Sequence, residues 1–220
     1  MIARPMSPLR IGVLALQGDF DAHCLALTRC GAGVRTVRLP ADLEGLQGLV
    51  LPGGESTTML SLIREFGFSE EIPRFVDRGG ALYGTCAGAI LLARQVTSPV
   101  QWSFGLLDID VERNGFGRQA ESFEAELTQV APELLDGAQG KPLRAVFIRA
   151  PRIERTGRGV KVLASWNDEP VLVRQGRILA STFHPELTAD TRIHEYFLTA
   201  VAGAVHAPER ASRGIAADPS

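Results

Sequence analysis

The sequence predicts an α/β protein, a three-layer sandwich with a mostly parallel central sheet and an antiparallel extension. Three observations carry that prediction. Short apolar runs alternate with helical patterns up to Arg94, as in consecutive βαβ units. Those runs lack the every-other-residue polarity of a half-exposed strand, so they suit a parallel sheet covered on both faces. Beyond Arg94 the chain changes to closely spaced β-rich segments with few helical stretches between them, which suits antiparallel strands.

Residues 1–9 read as a flexible leader without the apolar core of a signal peptide. Residues 11–16 form the first apolar run. Gln17-Gly18 turns the chain, and Asp19 is placed to cap a helix carrying Phe20, Cys24, Leu27 and Cys30 at helical spacing. Gly31 and Gly33 are expected to end that helix, so Cys24 and Cys30 read as core residues. Residues 34–38 and 48–51 supply the second and third strands. The third runs into Pro52-Gly53-Gly54-Glu55-Ser56-Thr57-Thr58 and then a helix over 59–66. A glycine pair between strand and helix can turn backbone N–H groups toward a ligand; the bland alternative is a plain turn capped by Ser or Thr. Ser69 starts another helix, and Gly79-Gly80 returns the chain to the apolar Ala81-Leu82-Tyr83.

In the second half, residues 106–111, 123–130, 145–148, 160–165, 171–174 and 178–183 read as strands, with Arg174-Gln175-Gly176-Arg177 as a hairpin turn. They are expected to extend the same sheet within one domain over 10–202. Residues 190–202 form a final helix, and the composition over 203–220 predicts a disordered tail. A chain of 220 residues is long enough for one sizeable core.

Composition narrows the class of partner. A net charge of −2 with 22% charged residues gives no reason to expect nucleic acid or an anionic membrane. No apolar run approaches the roughly 18 residues of a membrane span. Cys24, Cys30 and Cys86 form no C-x-x-C pair and no His-rich ligand cluster, so no metal is expected. Three free thiols without a secretory segment predict a cytoplasmic protein.

The chemistry centres on Gly84-Thr85-Cys86-Ala87-Gly88, between an apolar strand and the helical Ala89-Ile90-Leu91-Leu92-Ala93. Small residues two before and two after a nucleophile let strand and helix approach closely, so the side chain stands out in a strained turn. The helix N-terminus beneath it offers free N–H groups and a positive dipole end. Composition alone would supply about 0.03 such G-x-C-x-G matches in this chain. The bland alternative is a buried structural cysteine. Against it stands Phe183-His184-Pro185-Glu186 at the end of the last strand. A cysteine nucleophile needs a base, which His184 can be, and the base needs an orienting partner, which Glu186 can be. His23, His194 and His206 have no such setting and read as surface or satisfied core histidines.

The elbow G-T-C-A-G-A-I and the late H-P-E resemble class I glutamine amidotransferase domains. The strings L-P-G-G-E-S-T-T-M, R-N-G-F-G-R-Q, F-I-R-A-P and A-L-Q-G-D-F narrow the resemblance to the glutaminase subunits of pyridoxal 5′-phosphate synthases. The resemblance spans residues 10 to about 200 and implies a flavodoxin-like, three-layer fold. It implies Cys86 as nucleophile, His184 as base and Glu186 as its orienting partner, with the N–H groups of Gly54 and Ala87 as the oxyanion hole. It further implies that Gly54, Glu55, Ser56, Arg113, Ile148 and Arg149 bind L-glutamine, with Gln17 and Ala150 nearby. These types suit the ligand: an α-carboxylate and an α-ammonium call for a guanidinium, a carboxylate and backbone acceptors. The implied partner is a separate (β/α)8-barrel synthase subunit in a hetero-oligomer, and no cofactor is implied. The alternatives are the glutaminase subunit of another amidotransferase, such as imidazole glycerol phosphate synthase, or a cysteine peptidase of the same fold. The G-G-E-S and R-N-G-F-G-R-Q strings argue against the first, and a choice between glutamine and peptides as substrates separates the second.

Overall fold

The structure, a computed structural model, describes residues 8–115, 122–135 and 140–203. Its main sheet has seven strands, in the spatial order 161–166, 169–175, 178–181, 81–85, 48–51, 10–14 and 33–37. The parallel part comprises β1 (Arg10–Leu14), β2 (Gly33–Val37), β3 (Gly48–Leu51), β4 (Ala81–Thr85) and β12 (Ile178–Ser181). Side chains alternate between the two faces of these strands. Ile11, Val13, Val50, Ala81, Tyr83 and Leu179 enter one core, while Leu14, Leu49, Leu51, Leu82 and Ala180 enter the other. Two buried faces explain why the strands read as continuous apolar runs.

Helix α1 (Phe20–Arg29) and α5 (Arg192–Tyr196) contribute to the first core. Helices α2 (Ser56–Glu65), α3 (Phe68–Asp77) and α4 (Ala87–Leu92) build the second. This is the expected three-layer arrangement. All five parallel strands point the same way, so the turns after β1, β3, β4 and β12 meet at one edge of the sheet.

Strands β10 (Lys161–Trp166) and β11 (Glu169–Gln175) supply the antiparallel extension, and β11 turns into β12 through the expected hairpin at Gly176. The remaining strands do not join it, contrary to the expectation of a single extended sheet. β5 (Ala93–Thr97), β6 (Leu107–Glu112) and β9 (Arg152–Thr156) form a three-stranded sheet. β7 (Ser122–Glu126) and β8 (Arg144–Ile148) form a two-stranded one. The reason is their polarity pattern. β6 buries Leu107, Ile109 and Val111 but carries Asp108, Asp110 and Glu112 between them, so only one of its faces can be covered. β10 and β11 each hold three consecutive buried residues and can sit in a two-faced sheet.

Other boundaries differ for local reasons. Asp19 occupies the cap position of α1, but its side chain makes no capping hydrogen bond. Gly33 opens β2 rather than closing α1. Helix α2 begins at Ser56, earlier than expected, because Glu55 caps it through bonds from the Thr57 and Thr58 N–H groups. The last helix is α5 followed by a π-helical stretch over Phe197–Ala202. Most of the expected leader and tail, with His206 and residues 116–119 of the R-N-G-F-G-R-Q string, lies outside the described residues. Among the described residues no helix is long and apolar enough to cross a membrane.

Candidate active site

The turn after β4 is an elbow. Cys86 has φ 47° and ψ −101°, a conformation that costs an L-residue on the order of 1–3 kcal/mol. The surroundings hold it there: Cys86 N–H donates to Ser181 O at 2.8 Å, and Cys86 O accepts from Ile90 N–H at 3.1 Å. The flanking glycines are required by contact. A Cβ on Gly84 would lie 2.6 Å from the Gly88 carbonyl carbon, and one on Gly88 would lie 2.1 Å from Leu51 O. Strand and helix therefore touch through backbone alone, and the cysteine side chain projects at the sheet edge. Cys24 and Cys30 are half-buried against the first core, where burial pushes both thiols up.

The turn after β12 delivers His184, whose N–H donates to Val146 O at 2.8 Å. Its Nδ1 lies 2.7 Å from Glu186 Oε1, and both side chains are nearly withdrawn from solvent. Burial alone would lower the His184 pKa. Hydrogen bonds to Cys86 and Glu186 outweigh it and push the value up to about 10. Burial likewise opposes the Glu186 carboxylate, yet His23 and His184 together bring its pKa below the ordinary value. The site thus favours an imidazolium held by a carboxylate.

The turns after β1 and β3 pack against this pair. A Cβ on Gly18 would lie 1.8 Å from Gly53 O, and one on Gly53 would lie 2.3 Å from His184 Cε1. Gln17 Oε1 accepts from Glu55 N–H at 3.1 Å. Gly54 has φ 150°, within the region that favours glycine.

Gly54, Glu55, Ser56, Cys86, Arg113, Ile148, Arg149 and His184 line one cleft of about 160 Å3. That is small beside the roughly 300–1,000 Å3 of drug-sized sites and suits a compact metabolite. The side sheets have a purpose here: the end of β6 brings Arg113 to the cleft and the end of β8 brings Ile148 and Arg149. Arg149 reaches it with φ 42°. Ile90 and Asn114, not singled out in the sequence, also line the cleft. Gln17, Ala87, Ala150 and Glu186 are not in the lining; Ala87 and Ala150 are buried directly behind Cys86 and Arg149 in the chain.

Glu55 lines the cleft with its carboxylate already engaged. Its carboxylate accepts from the N–H and hydroxyl groups of both Thr57 and Thr58, and Arg113 Nη2 lies 3.4 Å away. These hydrogen bonds overcome the penalty of burial and lower its pKa to about 2. Much of its accepting capacity serves the helix and the placement of Arg113. Ser56 Oγ donates to Gln101 Oε1 at 3.1 Å, so it too is engaged before any ligand enters.

Sequence reasoning missed two residues beside the pair. His23 and His194 are fully buried, and His23 Nε2 lies 3.3 Å from Glu186 Oε2. His23 lies on α1, far from Glu186 in the chain, and His194 on α5 follows Glu186 by eight residues, so only the tertiary fold joins the two rings beside the carboxylate. Among the described residues there is no group of three or more His, Cys, Asp or Glu placed to hold a metal ion.

A parallel sheet with a cysteine elbow at its C-terminal edge, facing a His–Glu pair, has the architecture of a hydrolase that works through a thiol nucleophile. The chain belongs to the SNO glutamine amidotransferase family, which it matches over residues 13–203. It is 55% identical over 193 residues to the pyridoxal 5′-phosphate synthase subunit PdxT of Koribacter versatilis, covering 88% of this chain and 96% of that one. It is also 55% identical over 195 residues to PdxT of Deinococcus radiodurans, covering 86% and 96%. A crystal structure of a glutamine amidotransferase superposes with a TM-score of 0.78 at 52% identity, covering 88% of this chain and 98% of that one. PurLQS from Thermotoga maritima shares the fold, with a TM-score of 0.64 at 16% identity over 89% and 99% of the two chains.

Proposed function

We propose that this chain hydrolyses L-glutamine to L-glutamate and ammonia through a thioester on Cys86, and delivers the ammonia to a synthase subunit that makes pyridoxal 5′-phosphate. The observation that carries the reading is the strained Cys86 in one small cleft with a His184 whose second nitrogen is held by Glu186. Family membership and the names of the two PdxT relatives support the substrate and the destination. Neither alternative amidotransferases nor a peptidase gains support from the small cleft or from these relatives.

In the proposed reaction the Cys86 sulfur attacks the side-chain carboxamide carbon of glutamine. The carbonyl oxygen takes up the negative charge and is met by the N–H groups of Gly54 and Ala87, donors typically worth about 3 kcal/mol each in such chemistry. As the tetrahedral species collapses, the C–N bond breaks and imidazolium His184 gives its proton to the departing ammonia. Water then attacks the thioester and gives a proton to His184, and the C–S bond breaks to release glutamate. Glu186 orients the ring and balances its charge throughout. Arg113 and Arg149 are assigned to the α-carboxylate, and Glu55 with the Ile148 carbonyl to the α-ammonium. Ser56, Gln17 and Ala150 complete the wall around them.

The domain that carries this reaction is taken as residues 10–202, working in the cytoplasm without a metal or organic cofactor. Ammonia in neutral water is largely protonated and diffuses away, so a glutaminase gains from firing only when docked to its acceptor. The Gly53-Gly54 segment is a fitting switch, because a glycine peptide can turn its N–H into or away from the oxyanion position. The test is glutamate release from purified protein with and without the (β/α)8-barrel synthase subunit. Weak release alone and a large rise in kcat with the partner are expected. No release of glutamate in the complex would refute the reading.

A further inference from the structure

Behind the His184–Glu186 pair lies a buried polar cluster that the proposed reaction leaves unused. His23 Nδ1 lies 3.1 Å from His194 Nε2. His23 Nε2 lies 3.1 Å from Thr85 Oγ1 and 3.3 Å from Glu186 Oε2. Tyr83 packs edge-on against both rings, with centroids 6.2 Å and 6.1 Å away, which fixes their planes.

Hydrogen-bond accounting selects one protonation pattern. Glu186 Oε1 takes its bond from His184, which leaves Oε2 buried and without a well-directed donor. His194 Nδ1 is likewise buried without a partner. Suppose His23 carried its proton on Nδ1 and donated to His194 Nε2. The His194 proton would then sit on Nδ1 with nothing to accept it, and the His23 Nε2 lone pair would face a carboxylate. The opposite tautomers remove both faults. His194 Nε2–H donates to His23 Nδ1, and His23 Nε2–H donates to Thr85 Oγ1 with its positive end 3.3 Å from Glu186 Oε2. What remains open at His194 Nδ1 is a lone pair, which is less costly than an orphaned N–H. A doubly protonated His23 would either set its Nδ1–H against the N–H of His194 or, by donating to His194 Nε2, orphan the proton on His194 Nδ1, and burial opposes that charge as well.

We infer that His23 is a positioning residue for the glutaminase reaction: its neutral Nε2–H, oriented by His194, holds Oε2 of Glu186 so that Oε1 stays on His184. This rests on the assignment of Cys86, His184 and Glu186 made above. The titratable groups around His23 are Glu186 and His184 after β12, His194 on α5, Tyr83 on β4 and Asp19 at the start of its own helix. Those around Glu186 are His184, His23, His194 and Tyr83.

The experiment follows the His184 ring by NMR between pH 6 and 11 in the full chain, comparing His23→Leu with His23→Gln. Leucine removes the donor, while glutamine returns an amide N–H near the Nε2 position. The leucine variant should lower the His184 midpoint by about one pH unit or more, a tenfold shift in its protonation equilibrium. Its kcat for glutamate release in the complex should fall by about tenfold with KM little changed, as expected when a transition-state contact is lost. The glutamine variant should restore both. If His23→Leu does not fold, His23→Asn replaces it, since that shorter amide stops short of Oε2. A merely structural role would lower Tm without moving the midpoint. An unmoved midpoint in a folded variant, or no restoration by glutamine, overturns the inference. A moved midpoint in a chain that releases no glutamate would support the contact and refute the glutaminase reading.

Discussion

Glu186→Gln separates orientation from proton transfer, and its size can be worked from the structure. The His184 pKa stands at about 10 against an ordinary 6.5. At about 1.4 kcal/mol per unit, that is on the order of 5 kcal/mol favouring the imidazolium, shared between the Cys86 and Glu186 contacts. Loss of the carboxylate charge and of the ring orientation it imposes should raise the barrier by on the order of 2 kcal/mol, some 30-fold in kcat. Glutamine also offers only one oxygen, whereas Glu186 meets His184 through one oxygen and His23 through the other. The loss should therefore approach 100-fold, about 2.7 kcal/mol. His184→Asn removes the proton carrier itself and should cost more, up to about 10⁴-fold. The assay is glutamate release in the presence of the synthase, with folding checked by circular dichroism. If folded Glu186→Gln proves worse than His184→Asn, the two roles are misassigned.

Three further outcomes follow from the same geometry. Cys86→Ala should abolish glutamine hydrolysis and keep the fold, and a glutamine-like alkylator should label Cys86 but neither Cys24 nor Cys30, whose thiols burial pushes up; label on either of those by mass spectrometry would count against the assignment. Gly53→Ala places a methyl about 2.3 Å from His184 Cε1, so it should displace the ring or the turn and cut kcat by more than tenfold (about 1.4 kcal/mol) while Tm falls by only a few degrees; unchanged kcat would show that the turn yields freely. Stability should also follow pH in a defined way: His184 has a raised pKa, so its contribution is complete below pH 6.5 and is lost as pH rises through about 10, whereas His194, lowered by burial to about 3, destabilises the fold as pH drops below 6.5. His194→Gln should flatten the acid arm of a Tm–pH profile, and an unaltered arm would refute that attribution.

The readable parts of this chain were those whose physics is local. β1, β3 and β4 are buried on both faces, so their residues are apolar without interruption and announce a parallel sheet. The Cys86 elbow is marked by glycines at 84 and 88: the contact that excludes a Cβ at Gly84 lies four residues on at Gly88, while Gly88 itself meets Leu51 O on the neighbouring strand. The short spacing between His184 and Glu186 likewise makes their pairing visible. What was hidden depends on distant partners or on charge. β5 and β9, reading Ala-Arg-Gln-Val-Thr and Arg-Ile-Glu-Arg-Thr, carry too many polar residues to stand out as strands, yet they build the sheet that brings Arg113 to the cleft. Arg155 on β9 is paired with Asp108 and Asp110 across that sheet, so its charges are matched side to side rather than buried face to face.

Two residues show how a correct type can take an unforeseen place. Glu55 was expected against the ligand, and it does line the cleft, but its carboxylate is first a helix cap. Nothing in the local sequence separates those uses, since Thr57 and Thr58 look like capping residues themselves. The sequence reads His23 as a surface or core residue, and it is core. Its proximity to Glu186 arises only when α1 packs beside the turn that follows β12.

Nucleophilic catalysis at Cys86 is tested most directly by trapping the covalent intermediate. The chain is mixed with L-glutamine and the synthase subunit, quenched in acid within the first turnovers, digested and examined by mass spectrometry. A glutamyl group on the peptide that contains Cys86, absent from the Cys86→Ser variant under the same quench, is the expected result. Steady glutamate release with no acyl group on that peptide, or the group found on another residue, would contradict it.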